Sequence, residues 1–139
     1  MISEIIPFST TVQLYKNLAD QRIRKQIARQ FGLQPQALES WVTTLALTRN
    51  ACCHHSRVWN KVNLIIPADA KQMSRPWLTI PVAKDRIYFN ICMIKFFLDI
   101  ISPRNDFKNK LHTLFSKFPQ IDLKAMGFPT GWENEPLWK

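Results

Sequence analysis

Glycine is scarce in this chain, with three in 139 residues against nine prolines. So few glycines leave little supply of the positive-φ positions that tight β-turns demand, which argues against a strand-rich fold. A secretory start is missing too: MISEIIPFSTTVQ has neither the charged beginning nor the long apolar stretch of a signal peptide. The most apolar run, Ile91 to Ile101, is interrupted by Lys95 and Asp99 and is too short to span a bilayer. It reads as a buried helix, and no membrane partner is expected. The cysteines are odd in number, Cys52, Cys53 and Cys92, with two adjacent. No disulfide framework follows, and reduced thiols in a cytoplasmic protein are the simpler account. Acidic residues are also short, ten against nineteen Lys plus Arg, for a net charge of +9.

A hydrophobic fraction of 46% is ordinary for a globular core. The length fits one domain over residues 1–139, able to bury about two-thirds of its unfolded surface. The charge excess favours a polyanion, with RNA, DNA and an anionic membrane surface all open, or describes a merely soluble basic protein. Arg22, Arg24, Lys25 and Arg29 form the densest basic run. It either tracks phosphates or forms a solvated helix face.

Hydrophobic spacing predicts helices throughout. Ser9, Thr10 and Thr11 offer cap oxygens for a short helix through Leu14, Tyr15 and Leu18. Asp20 is the expected N-cap of a second, with Ile23, Ile27 and Phe31 at four-residue spacing and Gly32 ending it. Pro35 suits a first turn, and Leu38, Trp41, Val42, Leu45 and Cys52 trace an apolar stripe predicting a long helix to about Asn60. Residues 62–83, with Pro67, Pro76 and Pro81, read as an irregular connection that is either packed or functional. A fourth helix is predicted from about Ala83 to Ile101 and a fifth from Phe107 to Phe118, stopped by Ser102-Pro103 and Pro119. The predicted class is all-α.

Arg49 to Asn60, RNACCHHSRVWN, carries the chemistry. At ~100° per residue, Ser56, Arg49, Asn60, Cys53, Arg57, Asn50 and His54 fall within an arc of roughly 160°. Ala51, Val58, Trp59 and Cys52 occupy the other side, and His55 falls among them as an expected buried structural histidine. Such a polar, cationic stripe suits RNA cleavage without metal. An imidazole at His54 can move a proton to or from the ribose and leaving oxygens. Guanidinium groups at Arg49 and Arg57 can stabilise charge on the phosphoryl oxygens. Asn50 can orient the imidazole or the ribose, while Ser56 and Asn60 add hydrogen bonds to substrate. Only RNA carries the 2′-OH this reaction needs.

On one helix Arg49 and His54 point ~140° apart and lie ~7.5 Å apart along the axis. A second copy across a two-fold axis would bring both sets to a shared groove, so a homodimer is expected. The alternative is that Arg49 and Arg57 bridge neighbouring helices while His54 is a core histidine. Zinc is not expected, because the consecutive side chains of Cys52-Cys53-His54-His55 radiate from a helix instead of converging on a tetrahedral ion.

Arg49-Asn50-x-Cys52-x-His54-His55-Ser56-Arg57-x-Trp59-Asn60 resembles the RNxCAHHSRxWN hallmark of the Abi-like (abortive infection) proteins. Flanking matches are Pro7-Phe8-Ser9, Leu14 through Leu18, Ile27 through Leu33, Leu38 through Trp41, and Met126-Gly127-Phe128-Pro129 followed by Trp132 and Pro136-Leu137-Trp138. The resemblance implies a HEPN-like helical bundle, phage resistance by abortive infection, and ribonuclease activity without metal or other cofactor in a homodimer. Carried over, Arg49 and His54 are the catalytic pair and Asn50 their polar companion. Cys53 departs from the usual alanine, a small-for-small change. The likeness is to the C-terminal half of longer family members, so the bundle is expected to be incomplete. The missing N-terminal half or an antitoxin joins RNA as an expected partner. A catalytically inactive RNA- or protein-binding remnant is the alternative reading.

Overall fold

A computed structural model describes residues 6–139. The start of the chain, where no leader is expected, lies partly in residues 1–5, outside those described. Among the described residues there are five α-helices and no strand: α1 (Phe8–Lys16), α2 (Gln21–Gln30), α3 (Pro35–Cys53), α4 (Ile87–Ile101) and α5 (Phe107–Lys117). Two 3-10 turns, Trp132–Asn134 and Pro136–Trp138, close the chain. The protein is all-α. None of its described helices is long and apolar enough to cross a membrane.

The chain divides into two compact units. The first runs to Ser56 and resumes over Ile65–Arg75; the second comprises Arg57–Leu64 and Pro76–Lys139. In the first, α3 is the central element, packed by both α1 and α2. Trp41 is fully buried in its middle, with Ala37, Leu38, Thr44 and Ala46 around it. Its indole donates to the Ala68 carbonyl at 2.9 Å, and the Ala68 N–H donates back to Ser40 Oγ at the same distance. The segment 65–75 is thereby tied to α3 at Ala68, whose N–H and carbonyl are both satisfied by α3 side chains.

Helix boundaries follow local chemistry. Asp20 caps α2 by accepting from the Arg22 N–H at 2.7 Å, as its position predicts. α1 instead begins at Phe8, with Pro7 as its cap residue and no side-chain cap bond; the expected Ser9, Thr10 and Thr11 caps all lie inside the helix. The start of α4 slips from Ala83 to Ile87 because Ala83 to Arg86 form a turn, closed by the Arg86 N–H on the Ala83 carbonyl.

The second unit is built on aromatic packing. Tyr88 and Phe128 lie 4.4 Å apart, Phe128 and Trp132 5.2 Å, and Trp132 and Trp138 4.9 Å, mostly edge to face. The Trp138 indole donates to the buried Tyr88 hydroxyl at 3.2 Å. The carboxylate of Glu135 accepts from the Thr79 N–H, the Thr79 hydroxyl and the Ile80 N–H, holding the proline-rich strip 76–81 to the end of the chain. Half of the Trp and Phe side chains, among them Trp41, Trp132, Trp138 and Phe128, are buried in cores. Exposed apolar residues are spread along the chain, at Phe8, Leu14, Ile23 and Leu47, at Trp59, Val62, Leu64, Ile65 and Ile66, and at Ile101, Leu114 and Phe118.

Candidate functional site at the end of α3

α3 stops at Cys53 and does not run to Asn60. The stop is a hydrogen-bonded reversal. The His55 N–H donates to the Cys52 carbonyl at 3.1 Å, and the Ser56 N–H reaches back to the Ala51 carbonyl at 2.8 Å. Between them His55 adopts φ +54°, the left-handed conformation. This is the Schellman arrangement, which satisfies the last carbonyls of a helix and usually carries glycine at the left-handed position. α2 ends in the same motif: Gly32 is left-handed at φ +67°, with its N–H on Arg29 and the Leu33 N–H on Ala28. All three glycines of the chain sit at positive φ elsewhere, at Gly32, Gly127 and Gly131. At the end of α3 a histidine does glycine's work.

This ending revises the helical arc. Arg49 and Asn50 remain on the last turns of α3, His54 becomes its C-cap, and Ser56 closes the reversal. Arg57 and Asn60 are not on the helix; both are exposed in the segment Arg57–Leu64 of the second unit. His55 is exposed, not buried, because the reversal turns it out of the helix before it reaches the apolar side. Cys52, expected to pack, is exposed together with Cys53 for the same reason: the helix has run past its core.

What stays together is compact in sequence and open to solvent. The Arg49 guanidinium is exposed and donates to Asn50 Oδ1 at 3.2 Å. No carboxylate among the described residues forms an ion pair with it. The His54 N–H donates to the Asn50 carbonyl at 3.0 Å, so the cap residue is tied to the turn that carries Asn50. The alternative of a core histidine and a helix-bridging Arg49 does not fit this exposure. Further back, Thr43, Thr44 and Thr48 turn their hydroxyls onto carbonyls four residues earlier. The helix thus carries three β-branched residues without leaving a hydroxyl unpaired.

Arg49 and His54 are exposed and Asn50 is half-buried. One cleft of about 290 Å³ opens beside α3 near its start, lined by Lys16, Gln36, Glu39, Ser40, Thr43 and Ile65. Another of about 420 Å³ lies in the second unit around Phe128, Pro129 and Trp132. Neither is lined by Arg49, Asn50 or His54. An open, cationic, imidazole-bearing helix end suits a polymer laid across it better than a small molecule, which needs enclosure. No described cluster of three or more His, Cys, Asp or Glu is placed to hold a metal ion.

Sequence reasoning missed the helix end. The available signal was indirect: with no glycine between Gly32 and Gly127, any left-handed cap in that interval has to fall on another residue, and His is among the types that tolerate it.

No curated protein and no solved structure matches the chain. Residues 1–60 match the family model of the Abi-like proteins, a stretch that holds α1, α2, α3 and the whole segment from Arg49 to Asn60.

Proposed function

We propose that the chain is an Abi-like protein of the HEPN type, an abortive-infection endoribonuclease that needs no metal and works in the cytoplasm as a homodimer. The observation that supports this is the end of α3, where Arg49 and His54 stand exposed beside a half-buried Asn50 within the family match, and the guanidinium meets no carboxylate among the described residues.

In this reading a base takes the proton from a ribose 2′-OH and O2′ attacks the adjacent phosphorus. The bond to O5′ then breaks, and O5′ leaves with a proton. The products are a 2′,3′-cyclic phosphate and a 5′-hydroxyl. His54 carries one of the two proton transfers. Arg49 donates to the non-bridging oxygens as charge builds on them, a charge-assisted contact that strengthens toward the transition state. Asn50 fixes the Arg49 head through the bond already present.

The test is cleavage of labelled RNA in EDTA by wild type, Arg49→Ala and His54→Ala, with thermal melts of all three. Cleavage by wild type alone, with unchanged melts, is expected. Cleavage that is absent or equal in the three proteins removes the ribonuclease reading.

One observation favours a second reading: among the described residues no side chain hydrogen-bonds to the His54 imidazole to orient it. A non-catalytic RNA- or protein-binding module, acting with a full-length relative or an antitoxin, would have no use for such an orienting bond. It predicts salt-sensitive binding without turnover.

A further inference from the structure

α2 carries a second cationic feature that the end of α3 does not absorb. On its helix Arg22, Lys25, Gln26 and Arg29 fall within an arc of ~100°, and all four are exposed. Arg24, on the opposite side, is the one basic residue of α2 that turns inward. It pairs with Glu39 of α3 and lies 5.5 Å over the Tyr15 ring. Among the described residues no carboxylate pairs with Arg22, Lys25 or Arg29, and α2 itself contains no acidic residue.

This arrangement is unfavourable for the helix alone. Arg22 with Lys25 and Lys25 with Arg29 are like-charge neighbours at three- and four-residue spacing, each costing ~0.2–0.5 kcal/mol. Arg22 also sits in the first turn, against the positive end of the helix dipole. A merely solubilising face would gain from interspersed carboxylates. The i,i+4 pair Lys95–Asp99 on α4 shows that this chain uses them. A polyanion relieves both penalties at once.

We propose that Arg22, Lys25 and Arg29 form the docking stripe for the phosphodiester backbone of the RNA on which the end of α3 acts; the identity of the polyanion rests on the ribonuclease reading above. The Arg24–Glu39 pair sets the level of α2 against α3. Arg49 lies ten residues beyond Glu39, ~15 Å further along α3. A single strand of a few nucleotides is long enough to cover that interval. The stripe contacts phosphates only, so it adds affinity and register without sequence preference.

The test uses full-length protein carrying His54→Ala, so that bound RNA stays intact, with and without R22Q/K25Q/R29Q. Affinity for a labelled single-stranded RNA is read by fluorescence anisotropy across a salt series. Removing three phosphate contacts should lower the log–log salt slope by ~2 and weaken binding roughly 100-fold at 0.1 M salt relative to 1 M. R22K/R29K should retain the slope. The melt of the triple variant should be unchanged or higher, since repulsion is removed. Equal affinity and slope in the triple variant, or no RNA binding by the parent, overturns the proposal. So does a stripe effect seen only on vesicles containing anionic phospholipid. Cleavage by wild type that is unaffected by the triple substitution, with unaltered binding, would end this proposal and leave the ribonuclease reading standing. A stripe-dependent salt slope without any cleavage would do the reverse.

Discussion

Replacing His55 by glycine should make the protein more stable. His55 holds φ +54° at the end of α3, where an L-residue crowds its Cβ against its own carbonyl. That conformation costs roughly 1–2 kcal/mol, somewhat less for His than for most types. Glycine removes the cost but regains ~0.5–1 kcal/mol of freedom in the unfolded chain. The net gain is therefore ~0.5–1 kcal/mol, a rise of about 2–4 °C in melting temperature for a chain of this size. A valine, stiff at Cβ and ill suited to positive φ, should move the other way by ~1 kcal/mol or more. Urea unfolding followed by circular dichroism gives the ranking Val, His, Gly in rising stability, with unchanged m-values. The imidazole is exposed, and among the described residues it makes no hydrogen bond that could offset the strain. A His55→Gly protein less stable than the parent would refute the strain account. It would mean that the ring earns its place through contacts. If stability rises while RNA cleavage falls, the strain is a cost carried for function at this helix end.

Two further outcomes follow from the second unit and the thiols. Glu135 is held below the usual carboxylate range, first by the Thr79 N–H and then by the Thr79 hydroxyl and the Ile80 N–H. Its folded-state pKa thus lies under the unfolded value of ~4.3, so its stabilisation is complete above that pH and drains away as pH falls through the folded value. Thermal melts in the acid range should show a smaller pH slope for Glu135→Gln than for wild type. A thiol titration of the native protein should read Cys52 and Cys53 quickly and Cys92 only after unfolding, since burial pushes Cys92 up to about 12 while the other two are exposed. Three fast thiols would contradict the burial of α4.

The legible parts of this fold are those written in short-range periodicity. The α2 boundaries could be read because Asp20 and Gly32 are strong local signals with one physical use each. α5 could be read because Phe107, Leu111 and Leu114 repeat at helical spacing before Pro119. The end of α3 could not. A helical projection accepts any length of chain, and Val58 and Trp59 fall on the apolar side of a helix that has already ended. No Gly or Pro marks the stop, only backbone hydrogen bonds from His55 and Ser56 that no single residue type announces. The aromatic core of the second unit was equally hidden, because Tyr88 and Trp138 meet across fifty residues and periodicity says nothing about such partners. Arg49, Asn50 and His54 stand out in the sequence as candidates by residue type alone; their placement at a helix end does not.

That placement bears on how a site is completed. On the last turns of α3, Arg49 and His54 diverge by ~140° about the axis, and nothing within the described chain locks the imidazole. Productive proton transfer needs the reacting groups held to within ~0.5 Å, so a lone helix end is too loose to serve. Two-fold pairing of α3 ends would set Arg49 of one protomer against His54 of the other. Complementation then separates the composite site from a site contained in one chain. Mixed in equal amounts after reversible dissociation, Arg49→Ala and His54→Ala proteins form heterodimers in half of the assemblies. Each heterodimer holds one site with both side chains intact and one with neither, so the mixture should recover about one quarter of wild-type cleavage per protomer. If both groups act from the same chain, every site in the mixture lacks one of them and the activity stays at the level of the single variants.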